Sequence, residues 1–189
     1  MNWRPILAIA VFLLGWIWLI LSGNGTLQEF LRIKELVLVV IVPLIYVWLV
    51  YPKYYLKSIW HAAFTCQEVN KDELLCALKW IGSVQVMTLA MGILTFFTDI
   101  VIVMNSLDDP KTFGPRMVGV YLSLVYAVVF SMGILYAIRV SCLSKYSAVE
   151  VNDESGRLSL ILLGILVIAV MLSMYINCLI ISSAPSLTS

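Results

Sequence analysis

Five long apolar stretches, four of them without a single charged side chain, decide what this chain can fold into. They run from Pro5 to Leu21, Leu36 to Tyr51, Trp80 to Met104, Met117 to Ile138 and Leu158 to Ser182, and the one charge among them is Asp99. Each approaches the roughly 20 residues that a helix needs to cross a bilayer core. The remainder of the chain cannot give them a soluble coat. Charged residues make up 12% of the sequence and hydrophobic residues 62%, whereas a soluble surface alone is roughly 25–35% charged. In lipid a helix satisfies its own backbone hydrogen bonds, so the expected fold class is all-α, a polytopic integral membrane protein with five transmembrane helices. The same composition excludes a disordered chain. A net charge of +1 supplies no basic field for a duplex, so nucleic acid is not an expected partner.

The stretches divide the chain. Residues 1–57 hold the first transmembrane helix pair, 58–79 a short cytoplasmic linker, 80–139 the third and fourth helices, 140–157 a second cytoplasmic linker, and 158–189 the fifth helix and an outer tail. The first stretch lacks a small-residue cleavage site before Ser22-Gly23-Asn24-Gly25 and reads as a retained helix rather than a signal peptide. Pro43, near the middle of the second, predicts a kink or a local partner for the carbonyl it frees. The linker between the second and third stretches alternates charges with Trp60, Phe64 and Leu74, the pattern of helix extensions or an amphipathic segment at the interface. Orientation follows from basic residues in short loops. Eight lysines and arginines fall on the side of Arg4, Lys53 and Arg157, against four on the side of Arg32 and Lys111. The N-terminus is therefore expected inside and the C-terminal tail outside. Asn24-Gly25-Thr26 matches a glycosylation sequon but reads as a short polar turn.

Two stripes inside the membrane carry chemistry. Gln85, Thr88, Gly92, Thr95 and Asp99 recur at steps of three and four, hence on one helix face. A polar stripe has no reason to face lipid, so it should face other helices or an aqueous interior. Asp99, Thr95, Thr88 and Gln85 are the ion-path candidates, with Ser123 as a pore-facing hydroxyl on the fourth stretch. An ionised acid costs roughly 2.5–3.5 kcal/mol at mid-membrane, less towards the edge, so Asp99 should have a compensating partner. The second stripe is Gly119, Ser123, Ala127 and Ser131 at steps of four, a small-residue face suited to close helix contact. Metal and cofactor chemistry are not expected: the single histidine, His61, and four cysteines show no ligand spacing. No nucleophile elbow, phosphate loop or dinucleotide fingerprint occurs, so an enzyme is not expected.

The run Leu107-Asp108-Asp109-Pro110-Lys111-Thr112-Phe113-Gly114-Pro115-Arg116-Met117, continued to Ser123-Leu124-Val125-Tyr126-Ala127, resembles the A-subunits of bacterial flagellar stators, in the MotA/TolQ/ExbB proton-channel superfamily. The family's turn motif falls on Asp108, Asp109, Pro110, Gly114, Pro115 and Tyr126, and Ser22 to Ile33 is similar to the glycine-rich loop after its first helix. Together the resembling segments cover most of residues 5–57 and 80–139. The chain departs from the family in three ways. The interval Pro52 to Lys79 is far shorter than the family's cytoplasmic domain, Leu124 stands where the family has its second threonine, and the fifth stretch has no counterpart.

The resemblance implies a proton or sodium channel subunit of the bacterial inner membrane that couples ion flow to mechanical work. It also implies a homopentamer around a single-span membrane partner that supplies an acidic residue. The alternatives are a non-conducting scaffold or assembly subunit of the same fold, or a small transporter.

Overall fold

A computed structural model of the chain describes residues 3–22, 32–64, 70–104, 110–144, 158–159, 161–165, 167–168, 170–172 and 175, and all regular structure among them is helical. Four helices are long and apolar enough to cross a membrane: Pro5–Ser22, Ile33–Val50, Lys71–Met104 and Met117–Leu143. We number the helices α1 (Arg4–Ser22), α2 (Ile33–Val50), α3 (Lys53–Phe64), α4 (Lys71–Met104), α5 (residues 110–143) and α6 (Ile161–Leu172). α6 is the described part of the expected fifth span and is apolar but short. Most of 173–182 lies outside the described residues, so the structure holds four candidate spans and the expected fifth falls largely outside what it describes.

α4 is the spine. Its 34 residues reach about 51 Å at helical rise, well beyond a hydrocarbon core of about 30 Å. It begins at Lys71, nine residues before the apolar stretch that announces it, because Asp72 and Glu73 occupy its first turn, where acidic side chains complement the helix dipole. The expected linker is thus mostly helix: α3, residues 65–69 outside the described residues, and the start of α4.

α4 and α5 run antiparallel. Going up α4 through Gln85, Gly92, Phe96 and Asp99, the facing residues on α5 descend through Ser131, Ala127, Tyr121 and Gly119. An apolar cluster lies at each end of this pair. One gathers Val39, Leu89, Phe96, Val120 and Leu124, and the other Val47, Ala62, Ala63, Leu78 and Leu135. α1 packs on the later half of α5, with Phe12 lying over Gly133 where a methyl group would collide with the ring.

Pro43 does not break α2. A five-residue π-helical stretch, Val37–Ile41, immediately precedes it, and the Val42 N–H donates to the Val37 carbonyl, five residues back. Lengthening the hydrogen-bond step there carries the ladder past the missing proline donor. The end of α2 is tied to α4 by a 2.7 Å hydrogen bond between the Tyr51 and Ser83 hydroxyls.

Candidate functional site

The two stripes read in the sequence face each other. Gln85, Thr88 and Thr95 on α4 are buried, and so are Gly119, Ser123, Ala127 and Ser131 on α5. Small residues every fourth position let the two backbones approach. At Gly92 the approach is tight: a methyl group there would overlap the Ala127 side chain. The result is a polar seam enclosed by one chain. Ser123 does not open into it, because its hydroxyl donates to the Val120 carbonyl of its own helix at 2.8 Å. Leu124, on the next face, packs in the apolar cluster with Leu89 and Phe96.

One end of the seam is closed by an arginine. Arg139 is only 4% exposed, and its Nη1 donates to Gln85 Oε1 at 2.9 Å. Gln85 Nε2 donates in turn to the Ser131 carbonyl at 3.1 Å. That carbonyl also accepts the Tyr136 N–H, because Val129–Leu135 is π-helical. By the α4/α5 register, the Arg139 backbone lies level with Lys79, where the charged part of α4 ends. Most long cationic side chains near a helix end extend outward to water. Arg139 reaches inward to Gln85 instead.

The other end is a charged mouth. Lys34 Nζ lies 3.8 Å from Asp99 Oδ1 and Arg32 Nη1 lies 3.9 Å from Glu35 Oε1. These four side chains, with Ile102, Val103 and Gly119, line an open cavity of about 150 Å³. A Cβ at Gly119 would sit 2.6 Å from Arg32 Nη1 and 3.3 Å from Glu35 Oε1, so the glycine is what makes room for that pair. The Arg32 N–H donates to the Tyr126 hydroxyl at 3.1 Å, which fixes the start of α2 against α5.

Between the two ends, the hydroxyls of Thr88 and Ser131 are buried with no hydrogen-bond partner among the described residues. By the α4/α5 register they occupy the same level on facing helices. Leaving a buried hydroxyl unpaired costs about 1–3 kcal/mol, so two at one level of a membrane bundle call for a reason. The second carboxylate oxygen of Asp99, Oδ2, is in the same condition.

Four of the five ion-path candidates, Gln85, Thr88, Thr95 and Asp99, therefore line one seam or its mouth, while Ser123 turns its hydroxyl back to its own helix. Four residues of the site were not among the sequence candidates. Arg139, Arg32 and Lys34 counted as loop charges that orient the chain, and Glu35 counted for nothing. A signal existed for Arg139: Ile138-Arg139-Val140 continues the helical run in register with Ser131 and Leu135. The turn motif is placed only in part. Asp108 and Asp109 lie outside the described residues, while Pro110, Gly114 and Pro115 lie in the first turns of α5. Among the described residues no group of His, Cys, Asp and Glu side chains converges as a metal site. No family model, no curated protein and no solved structure matches the chain.

Proposed function

We propose that this chain is an ion-conducting membrane subunit of the stator type, passing a proton or a sodium ion along the α4/α5 seam to do mechanical work on a partner. The observation that carries the reading is the level shared by the two unpartnered hydroxyls, Thr88 and Ser131, between a charged mouth and a buried arginine. Hydroxyls both donate and accept, so a pair of them can relay a proton or coordinate a dehydrated cation. Asp99 is the acid at the mouth that a proton or cation meets first. The contact between Gly92 and Ala127 leaves no width for a hydrated ion and favours the proton.

Arg139 gives the reading a condition. A guanidinium in an ion path repels cations, so the chain alone is expected to be closed. Opening it falls to an acid brought by a single-span partner, within a homopentamer of this chain in a bacterial inner membrane, its N-terminus cytoplasmic and its C-terminus periplasmic. These features rest on the resemblance carried by the turn motif.

A second reading is a non-conducting scaffold of the same fold. It is favoured by the completeness of the Arg139–Gln85–Ser131 chain of hydrogen bonds, which suits a packed strut. Proton and sodium flux in proteoliposomes under an imposed potential separates the two. Asp99→Asn keeps the shape of the side chain and removes its charge. Conduction predicts that flux through the complex falls tenfold or more while the subunit count by native mass measurement is unchanged. Normal flux with Asp99→Asn removes Asp99 from the path.

A further inference from the structure

α3 packs against both α4 and α5. Near its start the Tyr55 side chain lies beside that of Cys76 on α4. Near its end the Ala63 carbonyl lies 3.5 Å from Ser141 Oγ on α5. By the α4/α5 register, Cys76 and Ser141 stand at one level of the antiparallel pair. A helix that touches both bridges the pair sideways, in the plane of a membrane. The eight helical steps from Tyr55 to Ala63 cover about 12 Å, enough to span two axes that pack 8–10 Å apart.

The level can be read from α4. Between Lys79 and Asp99 it carries no charge, and those nineteen residues cover about 28 Å, one hydrocarbon core. Cys76 lies three residues outside Lys79, about 5 Å into a headgroup layer that is itself about 5–8 Å thick.

The faces of α3 fit that position. Ser58, Ala62 and Ala63 are buried against the bundle. Leu56 and Trp60 are exposed, Trp60 at 63%, on the flank that also carries Ile59. The opposite flank, with Tyr54, Lys57, Ser58 and His61, lines a cleft of about 120 Å³ closed by Glu73. Glu73 is further from the apolar part of α4 than Cys76, so this flank looks towards water. Lys53 is exposed at the front of the helix.

We propose that α3 is an interfacial helix that binds anionic phospholipid headgroups, Lys53 and Lys57 holding the phosphates and Trp60 seated at the acyl boundary. Both exposed lysines stand at the level of the headgroups, where anions are concentrated, and the tryptophan is of the type that anchors there. One lysine near an anionic surface favours such lipids about fivefold and two about 30-fold. Glu73 stands beside Lys57 and offsets it, so the expected preference is about fivefold. The inference does not depend on whether the seam conducts.

The test uses the full chain in vesicles carrying a fixed fraction of brominated lipid, either phosphatidylglycerol or phosphatidylcholine. The difference in fluorescence quenching between the unmodified protein and Trp60→Phe isolates Trp60 from the other five tryptophans. Brominated phosphatidylglycerol should quench Trp60 as strongly as about five times as much brominated phosphatidylcholine. Lys53→Gln with Lys57→Gln should abolish the difference while leaving overall quenching in place. Both side chains are exposed, so the fold is not at risk. Equal quenching by the two lipids, or a preference that survives the double substitution, overturns the lysine assignment. A Trp60 that neither lipid quenches overturns the interfacial position and leaves a soluble partner as the occupant of that face.

Discussion

The two ends of the seam hold charge in opposite ways. At the Arg139 end the guanidinium is 4% exposed and joined to Gln85 at 2.9 Å, and Gln85 is joined to a backbone carbonyl at 3.1 Å. At the Asp99 end the ion pairs are 3.8 and 3.9 Å apart, the Lys34 side chain is 67% exposed, and the cavity beside it is open. Short bonds in a dry setting resist exchange, because breaking one strands a buried charge. Longer pairs in contact with water are worth little and can be traded for another ion. On the proposed conduction reading, the first end stays shut and the second exchanges.

The comparison predicts unequal responses to mutation. Gln85→Leu should have the largest effect. It removes the acceptor from Arg139 and a donor from the Ser131 carbonyl, and hydrogen bonds to charged groups contribute about 1.5–3 kcal/mol. Thermal unfolding in mild detergent should show a clear loss of stability of about that size. An unchanged Tm would mean that the closed end does not depend on Gln85.

Gly92→Ala comes next, at about 1–3 kcal/mol, because the added methyl overlaps Ala127 and forces the helices apart. Gly15→Ala is the control, since nothing lies within 4 Å of a Cβ at that position. Equal Tm values for the two variants would contradict the tight seam. Lys34→Gln should be the mildest, less than about 1 kcal/mol, because the lysine is mostly solvent-exposed. Its effect should fall on flux instead, which is expected to rise as Asp99 loses its tethered competitor. A large loss of stability without a change in flux would make the mouth a structural clamp.

Each stripe was legible in the sequence, and their pairing was not. Steps of three and four placed Gln85, Thr88, Thr95 and Asp99 on one face, and steps of four placed Gly119 to Ser131 on another. Which face meets which is set by loops and by the packing of the whole bundle, and no local pattern encodes it. The same limit explains the charges. Lys34 and Arg139 look like loop residues because they stand at the edges of apolar stretches, yet long side chains there can turn towards either water or protein. The need of Asp99 for a partner was readable from its depth; that the partner is Lys34 required the fold. That α4 extends beyond its apolar stretch was legible in the pattern around Leu74; its first residue, Lys71, was not, because hydropathy marks where lipid begins, not where a helix does.

The most direct test of conduction along the seam is Thr88→Val, with stability and flux measured on the same preparation. Thr88 carries a buried hydroxyl without a partner among the described residues, and valine keeps its shape. If the seam conducts, the variant should be more stable by about 1 kcal/mol, since an unsatisfied polar group is gone. Proton flux through the partner-bound complex should at the same time fall at least tenfold. A more stable protein with unaltered flux would contradict the account.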